Sequence, residues 1–153
     1  MATTNDGRPR RAAFLLSQLG SLSSARFAER TRKLGLSPSD AGTLRLIGRT
    51  PGLSQRALAD RLGTVPSRVV PLIDSLQARG YVERVRSSSD RRNYELHLSK
   101  EGQAILKQLR AVAEAHEDEL LAALTPEQST ELARLLSLLA QANQQDPEIH
   151  REI

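Results

Sequence analysis

Cysteine is absent from the 153 residues, which excludes a disulfide framework, a thiolate metal site and a cysteine redox switch. Aromatic residues make up only 3%, too few for a binder that stacks single-stranded bases or RNA on exposed rings. No apolar run approaches the roughly 18 residues of a membrane span, and no signal-peptide pattern precedes Phe14. A cytoplasmic protein without a membrane partner is expected. There is no glycine-rich phosphate loop and no Ser/His/Asp set in a supporting context, so neither an enzyme nor a cofactor site is expected. His97, His116 and His150 are far apart and lack ligand spacing. His116 lies on an apolar stripe and reads as a core or interface histidine, not a metal ligand.

What is present is ordinary for a soluble chain: 39% hydrophobic and 26% charged residues. The length suits one domain, alone or with helical extensions, and is enough to bury a core. The net charge is only +4. Its basic excess is mostly arginine and gathers late in the middle third, and localised positive charge suits a polyanionic partner.

That middle third, Leu53 to Leu98, organises the rest. Ser54 can cap a helix carrying Ala57, Leu58, Ala59 and Leu62 on one face, and Gly63 stops it. A second helix follows with Val69, Leu72, Ile73 and Leu76 as its buried stripe, closed by Gly80. Two helices around a tight glycine turn make a helix-turn-helix. Beyond them Tyr81, Val82 and Val85 are strand formers, and Tyr94, Leu96 and Leu98 alternate with Asn93, Glu95 and His97. The polar segment Arg86-Ser87-Ser88-Ser89-Asp90-Arg91-Arg92 between them makes a hairpin with a long cationic tip, a wing. The fold class is therefore mostly α with a small β-wing.

The flanks are helical. Phe14, Leu15, Leu19, Leu22 and Phe27 mark a first helix, entered through Arg8, Arg10 and Arg11. Leu36-Ser37-Pro38-Ser39-Asp40 starts a second, with Ser37 as cap, Pro38 at its first position and Asp40 completing a capping box. After the wing Ser99 caps a long helix with Ile105, Leu109, Val112, His116 and Leu120 in one stripe. Thr125-Pro126-Glu127-Gln128 starts the last, whose Leu132, Leu135, Leu136, Leu138 and Leu139 form an apolar face too wide for one winged domain to cover.

In a winged helix-turn-helix the second helix enters the major groove and its first turn meets base edges. Here that turn is Thr64, Val65, Pro66, Ser67 and Arg68. Arg68 alone can make a bidentate contact to guanine, worth about 1–3 kcal/mol of discrimination. Ser67 and Thr64 can bond bases or phosphate, and Val65 can touch a thymine methyl. Ser54 and Gln55 are placed to bond phosphate, and capping by Ser54 is compatible with that. Arg84, Arg86, Ser88, Asp90, Arg91 and Arg92 complete the expected DNA surface, an arginine-rich tip suiting a narrow minor groove.

The runs ALADRLG, LIDSLQARGYVERV and SDRRNYELHLSKEG resemble the MarR family of transcription regulators, from about Phe14 to Leu139. The nearest likeness is the D-x-R wing signature at Asp90-Arg91-Arg92. The resemblance implies that Arg92 is inserted into the minor groove and Asp90 orients it; pairing of the two to stiffen the loop is the other reading. It implies a homodimer formed through the first and last two helices. It also implies an effector, often a small aromatic acid, held between those helices and the winged domain, with Arg11, Phe14, Ser17 and Arg45 as candidate contacts. For the early arginines a solvated helix start is the competing reading. The chain departs from the family at Pro71, where many members carry a base-contacting arginine. Proline removes that contact and an intrahelical N–H and should bend or tighten the helix.

The organisation expected is a disordered segment 1–7, a dimerisation region 8–36 and 99–145, a winged domain 37–98 and a tail 146–153. The function expected is a ligand-responsive regulator, a repressor, binding a pseudo-palindromic duplex as a homodimer. The alternative is a winged-helix dimer that serves as a protein-interaction module without DNA.

Overall fold

Four of the six described helices begin where a side chain takes an orphaned backbone N–H, while the first and the fourth start without such a cap. In the computed structural model, which describes residues 11–143, Ser37 Oγ accepts from the Asp40 N–H at 3.0 Å while the Asp40 carboxylate accepts from the Ser37 N–H at 2.9 Å. That closed capping box starts α2, Pro38–Arg49, after the first helix α1, Ala12–Arg32. Ser54 caps α3, Gln55–Leu62, through the Ala57 N–H, and Gly63 ends it in the left-handed region at φ 64°, where a side chain would be strained. Helix α4 covers Pro66–Ala78. Strands β1, Val82–Arg86, and β2, Tyr94–Leu98, pair antiparallel with Arg84 opposite Leu96. Ser99 caps α5, Lys100–Leu120, and Thr125 with Gln128 closes a second capping box on α6, Pro126–Ala142. All eight elements lie where the sequence patterns place them. Arg8, Arg10, His150 and the segments expected to be disordered or tail-like fall outside the described residues.

The core is drawn from every element between α2 and the first half of α5. Leu44, Ile47, Leu58, Val69, Ile73, Leu76 and Leu96 are fully buried, and Ile105, Leu106 and Leu109 of α5 close the same cluster. Residues of α5 beyond position 98 therefore share a core with the winged unit. Two contacts weld that junction. Ser99 donates its backbone N–H to Tyr81 O at 3.1 Å, and Gly102 sits so close that a Cβ there would lie 2.0 Å from the same carbonyl.

The hairpin is held at its base. Leu53 bridges to Leu96, with the Leu96 N–H donating to Leu53 O at 2.8 Å and the Gly52 N–H to Leu96 O at 2.9 Å. Arg79 ties the end of α4 to α2, its guanidinium 3.2 Å from the Asp40 carboxylate. Helix α6 has no residue buried within the chain.

Candidate DNA-reading surface and effector cavity

Helix α4 presents its first turn to solvent. Val65, Pro66, Ser67 and Arg68 are exposed and Thr64 is half-buried. Pro66 has no N–H, and the Arg68 N–H bonds back to Val65 O at 3.0 Å. What this end offers a partner is thus mainly side chains. Pro71 lies inside α4, which runs unbroken around it. The helical bond it removes would have ended on the Ser67 carbonyl, and Ser67 is exposed, so solvent can satisfy that oxygen. The sequence reading missed Val70, which is 40% exposed beside Pro71 and extends the apolar part of this surface. Ser54 and Gln55 open α3 as expected, Ser54 spending its hydroxyl on the cap.

The wing tip is a braced turn. Ser87, a residue with no role assigned from sequence, is buried. Its Oγ lies 2.9 Å from Ser89 Oγ and accepts from the Ser89 N–H at 3.3 Å. The Asp90 carboxylate accepts from the Arg92 backbone N–H at 3.0 Å and from Asn93 Nδ2 at 2.9 Å. Asp90 thus fixes the backbone under Arg92. No Asp90–Arg92 ion pair occurs among the described residues, and Ser88, Arg91 and Arg92 are exposed. Arg86 lies over the Tyr94 ring with its guanidinium carbon 5.8 Å from the centroid. Arg84 differs from the rest: its guanidinium is engaged within the chain by Gln55, Gln77 and Asp74.

A cavity of about 440 Å³ opens between α1, α2, α5 and the end of α3. Its walls are apolar at Phe27, Ala41, Leu46, Leu62, Leu106 and Leu109, and Arg45, Arg49 and Arg110 stand on its lining with Glu114 as the one acid. Three guanidiniums beside apolar walls suit an anion with a flat hydrophobic body. Of the four residues expected here, the structure brings only Arg45 to the lining. Arg11, Phe14 and Ser17 lie at the start of α1, exposed and away from the cavity, which takes Phe27 from further along that helix. Arg49 follows Arg45 by one helical turn, a spacing legible in the sequence; Arg110 comes from another helix and no local pattern marks it.

Behind the cavity His116 joins α5 to α1. It is buried, its Nε2 is 3.0 Å from Ser23 Oγ, and its ring centroid is 5.6 Å from that of Phe27. Burial, helped by nearby Arg30, holds its pKa below the ordinary value of 6.5. Arg30 also pairs with Glu119 across the same two helices. No cluster of three metal-capable side chains occurs among the described residues, and none of the described helices is long and apolar enough to cross a membrane.

Comparison with known proteins gives concordant results. The MarR family model matches residues 34–93. A putative transcriptional regulatory protein for the hcr operon of Thauera aromatica is 32% identical over 114 residues, covering 74% of this chain and 67% of that protein. The HTH-type transcriptional repressor Rv2887 of Mycobacterium tuberculosis is 30% identical over 126 residues, covering 82% and 91%. The crystal structure of the Rv2887 complex with DNA superposes with a TM-score of 0.74 at 27% identity, covering 86% of this chain and 98% of that one. Its complex with salicylic acid gives 0.68 at 30% identity, covering 88% and 98%.

Proposed function

Because this chain belongs to the MarR family of transcription regulators, which are not enzymes, we propose that it is a repressor that reads a pseudo-palindromic duplex as a homodimer and releases it on binding a small organic acid. The observation that carries the reading is the pairing of an exposed first turn of α4 with an arginine-bearing wing on the same lobe. One suits a major groove and the other the adjacent minor groove. Arg68 reads a base, Thr64, Val65, Pro66 and Ser67 fill the groove around it, and Ser54 and Gln55 meet phosphate. Arg86, Ser88, Arg91 and Arg92 follow the minor groove, with Asp90 shaping the turn that presents them. The DNA complex of Rv2887 supports this layout for a relative.

The effector site of this reading is the cavity. Arg45, Arg49 and Arg110 take the carboxylate and Phe27, Leu46 and Leu109 flank the ring; the salicylic acid complex of Rv2887 supports an aromatic acid as ligand class. The cavity joins α2, part of the reading lobe, to α1 and α5, which lead to the partner subunit. A ligand that wedges these helices apart changes the distance between reading heads. DNA with half-sites about 34 Å apart accepts only one such distance. Differential contacts in the two states then shift the population off DNA. Arg11, Phe14 and Ser17 belong, in this reading, with the association surface.

Selection of duplexes from a random pool tests the proposal, followed by affinity against salt and against added salicylate. An inverted repeat, a steep salt dependence and release by the acid are expected. No enrichment at any low salt concentration would leave a protein-interaction module as the better account.

A further inference from the structure

Periodicity puts Arg84 on the inner face of the hairpin, in the alternation Val82, Arg84, Arg86, and directly opposite Leu96, which is fully buried. A cation on that face must find acceptors. It finds three, each on a different residue. The Nε–H donates to Gln55 Oε1 at 2.7 Å, Nη1 to Gln77 Oε1 at 2.5 Å and Nη2 to Asp74 Oδ1 at 2.5 Å. Gln55 opens α3, while Asp74 and Gln77 lie on α4. One guanidinium therefore grips the reading helix, the helix that supports it and the wing strand. A planar fork with fixed donors suits this; a lysine ammonium cannot hold three separated acceptors in one plane.

We propose that Arg84 is a positioning residue, a clamp that sets the wing against α4 so that both can enter adjacent grooves at once. The proposal rests on the DNA reading above. The opposite edge of the hairpin base is already pinned by the Leu53–Leu96 bridge, so the clamp removes the remaining rocking motion, and the tip from Ser87 to Asn93 moves with the base. Gln55 is part of the device. By accepting from Arg84 with its Oε1, its amide is oriented so that the Nε2 donors remain for a phosphate oxygen.

Asp74 makes the clamp separable from simple charge. Its side chain is 57% exposed on the reading helix, so if it acted only as an anion near DNA it would oppose binding, and Asp74→Ala would tighten the complex. As a clamp partner it favours binding. Asp74→Ala, which removes the acceptor as well as the charge, should then weaken operator affinity about tenfold, on the order of one charge-assisted hydrogen bond. Arg84→Gln should do the same, and Arg84→Lys should recover only part of the loss. Because the clamp acts through the wing, either change should have a smaller further effect in an Arg92→Ala background, where only Arg86, Ser88 and Arg91 of the wing are left to position, whereas independent DNA contacts would add in full.

The full-length protein is measured against its selected duplex, with hydrogen exchange of the DNA-free protein followed in parallel. Weaker binding by Asp74→Ala, less-than-additive losses with Arg92→Ala and faster exchange confined to residues 82–98 are expected. Tighter binding by Asp74→Ala, or additive losses with unchanged exchange, would overturn the clamp and make Arg84 a phosphate contact. If the unsubstituted protein selects no duplex, the DNA reading itself falls, and exchange alone then decides whether Arg84 holds the hairpin.

Discussion

Arg68 and Arg92 are both exposed arginines on one lobe, and the proposed DNA reading gives them different work. Arg68 stands on a rigid helix, where the geometry of a bidentate contact can be held; Arg92 stands on a turn, where charge and reach matter more than angle. Arg92→Ala should weaken binding to all sequences and make the slope of log affinity against log salt shallower by about one. Arg68→Ala should relax preference at one position per half-site, seen by repeating the duplex selection with the variant. Uniform weakening there would make Arg68 a phosphate contact. Their exposed positions were legible in the sequence because each belongs to a local pattern, a helix start and a D-x-R turn. Arg84 was legible as a cation but not as a clamp, since its three acceptors lie up to 29 positions away in the chain. The alternation of β1 carried a hint, because an arginine at an inward position must be paired.

At the scale of elements, caps and stripes determine where helices begin and which face they bury, and those signals lie within a few residues of each other. The packing of α1 on α5 is another matter, resting on His116, Ser23, Phe27 and the Arg30–Glu119 pair, residues about 90 positions apart. His116 read as core or interface from its stripe alone, and it is buried between two helices. Its pKa is lowered by burial first and by Arg30 next, against the opposing pull of Glu117 and Glu119. The sign follows directly. Below the ordinary value of 6.5 the unfolded chain takes up a proton that the folded site resists, so stability present above that pH is lost as pH falls toward the folded pKa. Thermal unfolding followed from about pH 7.5 to about pH 5 should show a drop that His116→Gln reduces. Equal drops in the two proteins would place the acid sensitivity elsewhere. The cavity beside this joint was only partly legible for the same reason: Arg45 and Arg49 share a helix face, but Arg110 reaches the cavity from α5.

At the scale of the whole molecule, two apolar faces stay uncovered by the described residues. Phe14, Leu15, Leu16 and Leu19 on α1 are about half exposed or more, as are Leu138 and Leu139 on α6. The described residues of one chain offer α6 nothing to bury against, so a stable particle needs a second copy or another partner of similar character. A homodimer is the occupant that fits the proposed function, because two reading lobes in one particle turn the second half-site contact into an intramolecular event. Such linkage can raise affinity by about 10²–10⁴-fold without any new contact. Leu139→Glu places a charge on the C-terminal half of the exposed α6 face while touching no part of the winged core, so the lobe should keep its fold and its helical circular dichroism. Sedimentation should then report a monomer, and affinity for the full inverted repeat should fall to that for a single half-site, while the parent protein prefers the repeat. A variant that remains dimeric and still prefers the repeat would show that α6 lies outside the association surface. The apolar stripe of α1 would then have to carry the dimer alone.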